Sequence, residues 1–530
     1  MNNWGRFVIN GTLMTFVSLL LRFVSVSFNV YISNIIGAEG LGLFTLISTV
    51  YSFALTIATS GINLATTRLV SECIGEEGLG ENDKIIKSKK IKYILKKCIA
   101  YSLIFSVTVS VILLVSADYI GNELLFDKRT IPSLKLLAIT LTPIAISSAL
   151  NGYFVAVRRV YKNAIVTLFS QFSKIFATVL IFRSFVTLDT EMACLAIVAG
   201  GAFSEISSFI LHMIFFLKEK SSNKNEALSK VYKSNVVKNL LSISLPVALS
   251  TYLRSGLISI EHILIPIGLE KSGSNKASSL AAYGTVQSMV FPIVLFPSAI
   301  LISFAGLLIP EISEAKTTKD IQKIKNIATS SLRITLIFSI GAAGIIGCFA
   351  NKLGTTIYPE SDAGRYIRVI APLIPVMYLD TMVDSILKGL GQQLYSMVVN
   401  IVDSSLSVIL VIFLIPKFGI WGFIMTVFFT EIINATFSII RLLNFLSIKP
   451  NIINWIVKPL ASIVGATYII KFLFEKFPIR YLSDIPEIVI CILLSILIYI
   501  IFLILTGSTN KKEIEYFISK IRYKNNAPSI

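Results

Sequence analysis

Residues 251–268 read TYLRSGLISIEHILIPIG, an apolar run that nevertheless carries Arg254 and Glu261. A run of about 18 apolar residues is long enough to form a membrane-crossing helix. A charge near the middle of a bilayer costs roughly 2.5–3.5 kcal/mol, so charged residues there face a wet cavity or a partner. Seven residues make two helical turns, so Arg254 and Glu261 share one helix face about 10 Å apart. The run therefore predicts a transmembrane helix that lines a polar site.

The first apolar run of the chain repeats this pattern. Residues 19–37 read LLLRFVSVSFNVYISNIIG, where Arg22 is followed two turns later by Asn29 and the run again ends in glycine. A second pair of similar stretches is LNGYFVAVRRVY at 150–161 and LKGLGQQLY at 387–395. These matches predict two repeats of six helices each, in the same orientation and related by an axis along the membrane normal.

The composition extends the membrane prediction to the whole chain. Only 15% of the 530 residues are charged, 54% are apolar, and the mean hydropathy is +0.78, whereas soluble domains carry about 25% charged residues. We predict an all-α integral membrane protein with about 14 transmembrane helices, in two pseudo-symmetric six-helix lobes plus two C-terminal helices. The predicted spans are 8–34, 41–72, 92–117, 132–157, 163–185, 190–217, 239–267, 278–310, 327–350, 366–389, 393–415, 419–443, 453–474 and 485–506.

The repeat also predicts the division of the chain. Residues 1–230 form an N-lobe of helices 1–6, and residues 231–447 form a C-lobe of helices 7–12. Residues 448–506 supply helices 13 and 14, and residues 507–530 form a cytoplasmic tail. With the N-terminus inside, the inner loops hold more than twice as many Lys and Arg residues as the outer loops. We therefore expect a multi-pass protein of the cytoplasmic (cell) membrane with both termini in the cytoplasm.

The remaining composition excludes several classes of protein. The net charge is +18, but the basic residues bracket the predicted spans, so we expect membrane lipids and not nucleic acid as partners. The five cysteines are scattered without the spacing of a disulfide framework or a metal site. The two histidines, His212 and His262, fall in different spans, so we expect no metal and no cofactor. We expect the protein to act as a monomer.

Arginines within the predicted spans are candidates for binding an anion. Arg22 and Arg254 hold equivalent places in the two repeats, so a cavity between the lobes would present two guanidinium groups suited to phosphate. Alternatively, Arg254 pairs with Glu261 or another acid. Arg68 either lines the same cavity or forms a local ion pair with Glu72, four residues on. The complete set of interior charges is Arg22, Arg68, Lys174, Glu205, Arg254, Glu261, Asp380, Asp384, Lys388, Asp403 and Glu431.

A polar stripe lies on the tenth predicted span. Asp380, Asp384 and Lys388 follow at intervals of four residues, so they share one helix face. Asp384 and Lys388 can neutralise each other, which leaves Asp380 unpaired. An unpaired carboxylate in a transporter can bind H⁺ or Na⁺, although a structural hydrogen bond is the alternative. Coupling to H⁺, to Na⁺ or to the membrane potential is therefore left open.

The eighth predicted span contains prolines that interrupt helical hydrogen bonding. PIVLFPSAILISFAGLLIPEISEA at 292–315 includes Pro292, Pro297 and Pro310, each of which removes a helical hydrogen bond. The kinks either let this helix bend during transport or shape a fixed cavity. The glycine-rich GAEGLG at 37–42 lacks a preceding strand, so we interpret it as an outer turn and not as a phosphate-binding loop.

Several stretches resemble the oligosaccharidyl-lipid flippases of the multidrug/oligosaccharidyl-lipid/polysaccharide exporter superfamily, in particular the stage V sporulation protein B group. The resemblance implies fourteen helices in two lobes, a cationic cavity lined by helices 1 and 7, and transport of polyprenyl-pyrophosphate-linked saccharides. The stretches that carry it are GAEGLGLFTLISTVYSFALTIATSGINLATTRLVSE (37–72), EHILIPIGL (261–269), AYGTVQSMVFPIVLFPSAILISFAGLLIPEISEA (282–315) and APLIPVMYLDTMVDSILKGLGQQLYSMVVNIVDS (371–404).

The resemblance also implies roles for individual residues. In the related lipid II flippases the equivalents of Arg22 and Arg254 contribute to the cationic cavity. This chain departs from the pattern, because relatives often have basic residues where it has Asn29, Asn34 and Ile267, and Glu261 stands in place of a usual Asp. The cavity is therefore expected to be less positive than in those relatives.

We predict that the protein is a flippase, and therefore a membrane transporter and not an enzyme. Its cargo would be a lipid-linked saccharide, such as a peptidoglycan precursor for the spore cortex, moved by alternating access. The alternatives are a cation-coupled multidrug exporter, a scaffold without transport activity, and a multi-pass transferase. A transferase is expected to carry a catalytic Asp/His cluster or a large polar loop, and the sequence contains neither.

Overall fold

The computed structural model describes residues 3–76, 89–184, 189–219, 230–359, 361–448, 450–476 and 484–508. Helices dominate these ranges, and no strand occurs within them. The predicted tail beyond residue 508 and the part of the basic loop at 77–88 lie outside the described residues. The predicted all-helical fold class is confirmed.

The described chain forms eighteen α-helices. Their bounds are α1 Asn3–Thr59, α2 Ile62–Glu76, α3 Lys89–Tyr119, α4 Ile131–Ala156, α5 Val160–Ser184, α6 Thr190–Glu219, α7 Lys230–Lys271, α8 Lys276–Gly284, α9 Phe291–Val294, α10 Ser298–Thr317, α11 Ile321–Cys348, α12 Ala350–Ile357, α13 Ala363–Ile370, α14 Ile374–Gly389, α15 Gln393–Phe418, α16 Ile420–Leu446, α17 Lys458–Lys476 and α18 Asp484–Leu505. Short π-helices occupy Ile120–Leu124, Thr285–Val290 and Ile453–Val457, and 3₁₀ turns occupy Lys128–Thr130 and Ala371–Leu373.

Positive-φ residues break the first long helical segment. Gly37 has φ of +68° inside α1 and separates the first predicted span from the second. Ser60 (φ +44°) and Gly61 (φ +68°) then separate α1 from α2. The second predicted span, 41–72, is therefore divided at this turn. The left-handed region is open to glycine and costly for other residues, so these positions fix where the helix direction changes.

Thirteen helical segments of the described chain are long and apolar enough to cross a membrane. The first of them, Leu20–Ile74, contains the break at Gly37 and covers the first two predicted spans. The eighth predicted span is discontinuous, and only its second part, Ser298–Thr317, forms a long helix. All fourteen predicted spans thus fall on described helices.

The helices group into two compact units, each described by itself. Unit 1 comprises Met1–Ser288 and Asn400–Thr426, and unit 2 comprises Met289–Val399 and Val427–Ile530. In unit 1, α4 packs against α2, α3 and α6, and α1 packs against α7 and α8. The predicted lobes, 1–230 and 231–447, describe a sequence repeat and remain a prediction.

Unit 2 is built around α11. This helix packs against α14 and α17, and α17 packs against α18. Close approach is possible because α11 presents glycines, and Gly344 lies against the Ile463 side chain. The hydroxyl of Tyr499 on α18 donates to the Ile337 carbonyl at 2.8 Å. The two C-terminal helices are therefore an integral part of unit 2.

Candidate functional site

The charged residues of α7 lie in unit 1 near α15. The side chain of Arg254 is exposed, and its guanidinium is the positive charge that acts on the Asp403 carboxylate. The Oδ1 atom of Asp403 is buried and accepts no hydrogen bond. The structure therefore gives Arg254 an acidic neighbour on another helix. Sequence reasoning recognised Asp403 as an interior charge but did not place it in the site.

Glu261 lies on the same helix as Arg254 but has different neighbours. Its carboxylate is hydrogen-bonded to the side chain of Ser407, which is buried on α15. The second acid that acts on Glu261 is Asp403, one turn before Ser407. Asp403 thus interacts electrostatically with both Arg254 and Glu261. The acidic neighbour of Arg254 is therefore Asp403, which corresponds to the predicted alternative of an acid other than Glu261.

His262 has a structural environment beside this group. Its Nδ1 lies 2.6 Å from the hydroxyl of Tyr283, a residue of α8 that is fully buried. The Tyr283 hydroxyl is also hydrogen-bonded to the side chain of Thr49 on α1. Ser259 Oγ donates to the Thr49 carbonyl at 3.4 Å. A polar chain therefore connects α7, α8 and α1, and nothing in the sequence pattern indicated it.

The first helix carries the two other residues of the predicted cavity. Arg22 is half-buried on α1. Asn29 Nδ2 donates to the Ser288 carbonyl at 2.5 Å. This carbonyl lies four residues before Pro292, which has no N–H to donate to it. Asn29 therefore replaces a helical hydrogen bond that Pro292 removes. That Arg22 and Arg254 line one cavity remains a prediction.

The predicted discontinuity of the eighth span is confirmed and has two parts. A π-helix, Thr285–Val290, precedes Pro292, and a turn at Leu295–Pro297 precedes α10. At the turn, the Ser298 N–H donates to the Leu295 carbonyl. The Val294 carbonyl instead accepts a 2.7 Å hydrogen bond from the buried Tyr378 hydroxyl in unit 2. Whether Pro292 and Pro297 act in gating remains a prediction.

Two other cationic residues have acidic neighbours. Arg68 Nε lies 2.8 Å from Glu72 Oε1 on the exposed face of α2, which is the local ion pair predicted as the alternative to a cavity role. Lys174 interacts electrostatically with Glu205, and its Nζ lies 5.9 Å from the centre of the Phe28 ring. A cavity role for Arg68 remains a prediction.

The polar stripe on α14 lies in unit 2. Lys388 Nζ is 2.5 Å from Asp384 Oδ2, so the predicted neutralisation of this pair is present. The structural hydrogen bond predicted as the alternative for Asp380 is present, because Asn434 Nδ2 donates to its Oδ2 at 3.3 Å. Asn434 lies on α16, and a contact between residues so distant in sequence is invisible to helix periodicity. The coupling or gating role of the stripe is still a prediction.

Unit 1 contains a network of charged side chains close to Gly37. Asp127 is buried and accepts hydrogen bonds from the Arg129 backbone N–H and guanidinium. Arg129 Nη1 also contacts Glu39 at 2.8 Å, and Lys276 Nζ lies 3.3 Å from Asp127 Oδ2. Burial raises the pKa of Asp127, but the hydrogen bonds and charges of Arg129 and the charge of Lys276 outweigh it and hold the pKa below its ordinary value.

The described ranges contain no group of three or more His, Cys, Asp or Glu side chains that could hold a metal ion. The cysteines in those ranges are free. The expectation that the protein uses no cofactor remains a prediction.

Helices that cross a membrane many times, interior charges and broken helices together define a multi-pass helical membrane protein of the transporter class. The family model described as "Polysaccharide biosynthesis protein" matches residues 7–316, and the model described as "MatE" matches residues 272–414. The chain belongs to the polysaccharide biosynthesis protein family. The predicted family is confirmed.

Two curated relatives come from Bacillus subtilis (strain 168). Stage V sporulation protein B is 24% identical over 410 residues, which cover 77% of this chain and 77% of the relative. Sporulation protein YkvU is 22% identical over 373 residues, which cover 70% of this chain and 79% of the relative.

Solved structures show the same fold. An inward-facing multidrug resistance MATE family transporter of the MOP superfamily aligns with a TM-score of 0.63 at 12% identity, covering 82% of this chain and 98% of the other. The lipid II flippase MurJ in an inward closed conformation aligns with a TM-score of 0.62 at 14% identity, covering 93% of this chain and 98% of the other. The overall helical fold therefore has solved counterparts.

Proposed function

We propose that the protein moves a polyprenyl-pyrophosphate-linked saccharide across the cytoplasmic membrane by alternating access of residues 1–230 against residues 231–447. The main support is the polysaccharide biosynthesis family match over residues 7–316, together with an exposed arginine, Arg254, inside a spanning helix. Pyrophosphate is an anion that guanidinium groups bind through paired hydrogen bonds. The names of the relatives make a peptidoglycan precursor for the spore cortex the first cargo to test.

In this proposal, Arg22 and Arg254 bind the pyrophosphate from the two repeats. Asp403 competes with the cargo for the Arg254 guanidinium. Glu261 on α7 is hydrogen-bonded to Ser407 and so links α7 to α15. Asn29 acts indirectly, because its hydrogen bond to Ser288 supports the broken eighth span next to α1. A single chain would suffice for transport, with membrane lipids around it.

We propose H⁺ as the coupling ion, bound by Glu261 and Asp403. These two acids interact with each other, and Asp403 Oδ1 is buried without a hydrogen bond, so one added proton would relieve the repulsion between the two carboxylates. The alternatives are Na⁺, the membrane potential, and the Asp380 and Asp384 stripe. Asp384 is already neutralised by Lys388, which makes the stripe the weaker candidate.

We propose that both termini face the cytoplasm. The excess of basic residues in alternate loops supports this orientation. Reporter fusions after residue 530 and in the loop near residue 187 test it, because only the second is expected to lie outside.

The test of cargo is flipping of a fluorescent or isotope-labelled lipid-linked precursor in proteoliposomes. We expect Arg22→Ala combined with Arg254→Ala to reduce the rate at least tenfold. Arg183→Ala is the control, since Arg183 is an exposed arginine near the end of α5. If the double variant and the control flipped the precursor at equal rates, the proposed pyrophosphate site would be wrong.

A second candidate is a cation-coupled multidrug exporter. The MatE match over residues 272–414 and the MATE structural neighbour favour it. Expression in a drug-sensitive bacterium separates the two functions, because an exporter raises resistance to cationic drugs and a lipid-linked saccharide flippase leaves resistance unchanged.

A further inference from the structure

Two cysteines of unit 2 lie on neighbouring helices and interact. Cys348 is the last residue of α11, and Cys491 lies in the second turn of α18. Cys491 is buried in a cluster of apolar side chains, and Cys348 packs against the same cluster. The two thiols are also close enough to interact electrostatically. They are far apart in sequence, so no spacing pattern indicated this pair.

A glycine on α11 lets this helix approach α18 closely. Gly341, seven residues before Cys348, lies against the ring of Tyr499, and an added Cβ would be 2.6 Å from a ring atom. Tyr499 follows Cys491 by eight residues, so both spacings are about two helical turns. Cα atoms of α11 and α18 come within 8 Å of each other, and a disulfide requires Cα atoms about 4.4–6.8 Å apart. The two helices therefore approach nearly as closely as a disulfide requires.

An ion pair shows the same register on the other side of the cysteines. Lys352 on α12 follows Cys348 by four residues, and its Nζ contacts Oε1 of Glu487, which precedes Cys491 by four residues. The contacts on the two sides of the cysteines therefore run in opposite order along the two segments, as antiparallel packing requires. Since the cysteines occupy matching positions between these contacts, the two thiols lie opposite each other.

The surroundings of the pair allow a reagent in water to reach one thiol. Cys348 is half-buried and Cys491 is nearly fully buried, so an oxidant meets Cys348 first. Lys471 and Arg368 place positive charge near Cys348, which stabilises the attacking thiolate and offsets part of the cost of its burial. The Cys348 thiol is hydrogen-bonded to the Thr467 hydroxyl. Thr467 also donates to a carbonyl of its own helix, so it keeps a partner after the thiol has reacted.

We infer that Cys348 and Cys491 are a redox-active pair whose disulfide fastens α18 to α11. The oxidant is a compound that itself contains a disulfide bond. The Cys348 thiolate attacks one sulfur of that bond, which forms a mixed disulfide and releases the first thiol of the oxidant. The Cys491 thiolate then attacks the Cys348 sulfur and releases the second thiol. Two electrons pass to the oxidant, and the two cysteine protons end on the released thiols.

The proposed orientation of the chain places the pair near the outer surface of the membrane, and the setting of the disulfide rests on that orientation. With both termini in the cytoplasm, α11 begins inside at Ile321 and ends outside at Cys348. Disulfides persist outside the cytoplasmic membrane, whereas cytoplasmic thiols are kept reduced. We therefore expect the disulfide to form from the outer side.

The test is the cross-link itself, measured on the full-length protein in intact and inverted membrane vesicles. Oxidised glutathione, a disulfide that does not cross membranes, is added, and the remaining thiols are alkylated before digestion with trypsin. Cys348 falls in the tryptic peptide 334–352 and Cys491 in the peptide 481–511, and each peptide contains one cysteine. We expect mass spectrometry without reduction to find these two peptides linked in intact vesicles but not in inverted vesicles. Reduction should separate them.

Alanine variants show whether the link is specific. Cys348→Ala and Cys491→Ala should each abolish the linked peptides. Cys194→Ala is the matched control, because Cys194 is a buried cysteine of unit 1 whose thiol donates to the Gly40 carbonyl. We expect this variant to cross-link like the wild type. The inference is overturned if the wild type yields no linked peptides, or if Cys194 is linked to either cysteine as often as the two are linked to each other.

The fastening of α18 is measured separately, by unfolding temperature in detergent. Oxidation should raise this temperature by about 3 °C or more in the wild type, because a cross-link restricts the unfolded chain. It should leave Cys348→Ala unchanged. Linked peptides with an unchanged unfolding temperature would overturn the fastening, and linking only in inverted vesicles would overturn the outer setting together with the proposed orientation. The cross-link does not depend on cargo, so the disulfide and the flipping of lipid-linked saccharide can each fail without the other.

Discussion

The side-chain amide of Asn29 on α1 donates a hydrogen bond to the Ser288 carbonyl, which Pro292 deprives of its helical partner. We predict that Asn29→Leu lowers thermal stability in detergent, because the carbonyl loses its donor within an apolar surrounding. The expected loss is about 1–2 kcal/mol, the usual cost of a lost buried hydrogen bond. The measurement is the unfolding temperature without cargo.

Asn34→Leu is the control for this prediction. Asn34 lies on the same helix and its side chain is exposed, so the substitution should change the unfolding temperature little. If Asn29→Leu were as stable as Asn34→Leu and only lost affinity for cargo, Asn29 would be a cavity residue, as the sequence first suggested.

The pair of Asp384 and Lys388 predicts an asymmetric double-mutant cycle. Lys388→Gln leaves a partly buried carboxylate without its cation, whereas Asp384→Asn leaves a half-exposed lysine that water can solvate. We expect Lys388→Gln to cost about 1 kcal/mol, a value reduced for solvent exposure, and Asp384→Asn to cost less. The double variant should recover most of the loss. Additive unfolding temperatures across the cycle would show that the pair contributes no coupling.

Asp127 predicts how stability depends on pH. Its pKa is held below its ordinary value in the folded protein, so its contribution is complete above the unfolded pKa of about 4. The contribution should then disappear as pH falls through the lower folded pKa. We expect the difference in unfolding temperature between the wild type and Asp127→Asn to be constant from pH 8 to 6 and to shrink below about pH 4. A difference that grows on acidification would contradict this.

Gly341 predicts how firmly the C-terminal helices are attached in unit 2. A Cβ there would lie 2.6 Å from the ring of Tyr499, which is buried and donates to the Ile337 carbonyl. We expect Gly341→Ala to displace this ring and cost about 1–3 kcal/mol. Gly306→Ala on α10 is the control, because a Cβ there meets no atom within 4 Å. Equal unfolding temperatures in the two variants would show that α18 moves to accommodate the added Cβ without a loss of stability.

Local spacing in the sequence predicted the features that depend on one helix. The pair of Asp384 and Lys388 and the pair of Arg68 and Glu72 follow from four-residue intervals. The break near Pro297 follows from the missing N–H of proline. Hydropathy located the fourteen spans, because each must cover the apolar thickness of a bilayer.

Contacts between helices could not be predicted in the same way. Asp403 interacts electrostatically with Arg254, and Asn434 is hydrogen-bonded to Asp380, only because of the rotation and tilt of helices far apart in sequence. Apolar runs have similar hydropathy, so hydropathy does not indicate which face of a helix packs against which neighbouring helix. The turn at Ser60 and Gly61 differs in that its sequence does carry a signal, because a Ser-Gly pair marks turns, and both residues have positive φ.

The charge balance around Arg254 leads to a final prediction about anion affinity. Asp403 competes with a bound anion for the Arg254 guanidinium, whereas Glu261 is hydrogen-bonded to Ser407. We expect Asp403→Asn to bind inorganic pyrophosphate about tenfold more tightly at neutral pH, a change that corresponds to about 1.4 kcal/mol. Glu261→Gln should have a smaller effect, because it removes a more distant negative charge. Binding is measured by displacement of a fluorescent pyrophosphate analogue from purified protein, and Arg254→Ala should abolish the gain in the Asp403→Asn background. A larger gain from Glu261→Gln than from Asp403→Asn would instead identify Glu261 as the acid that holds Arg254 when cargo is absent.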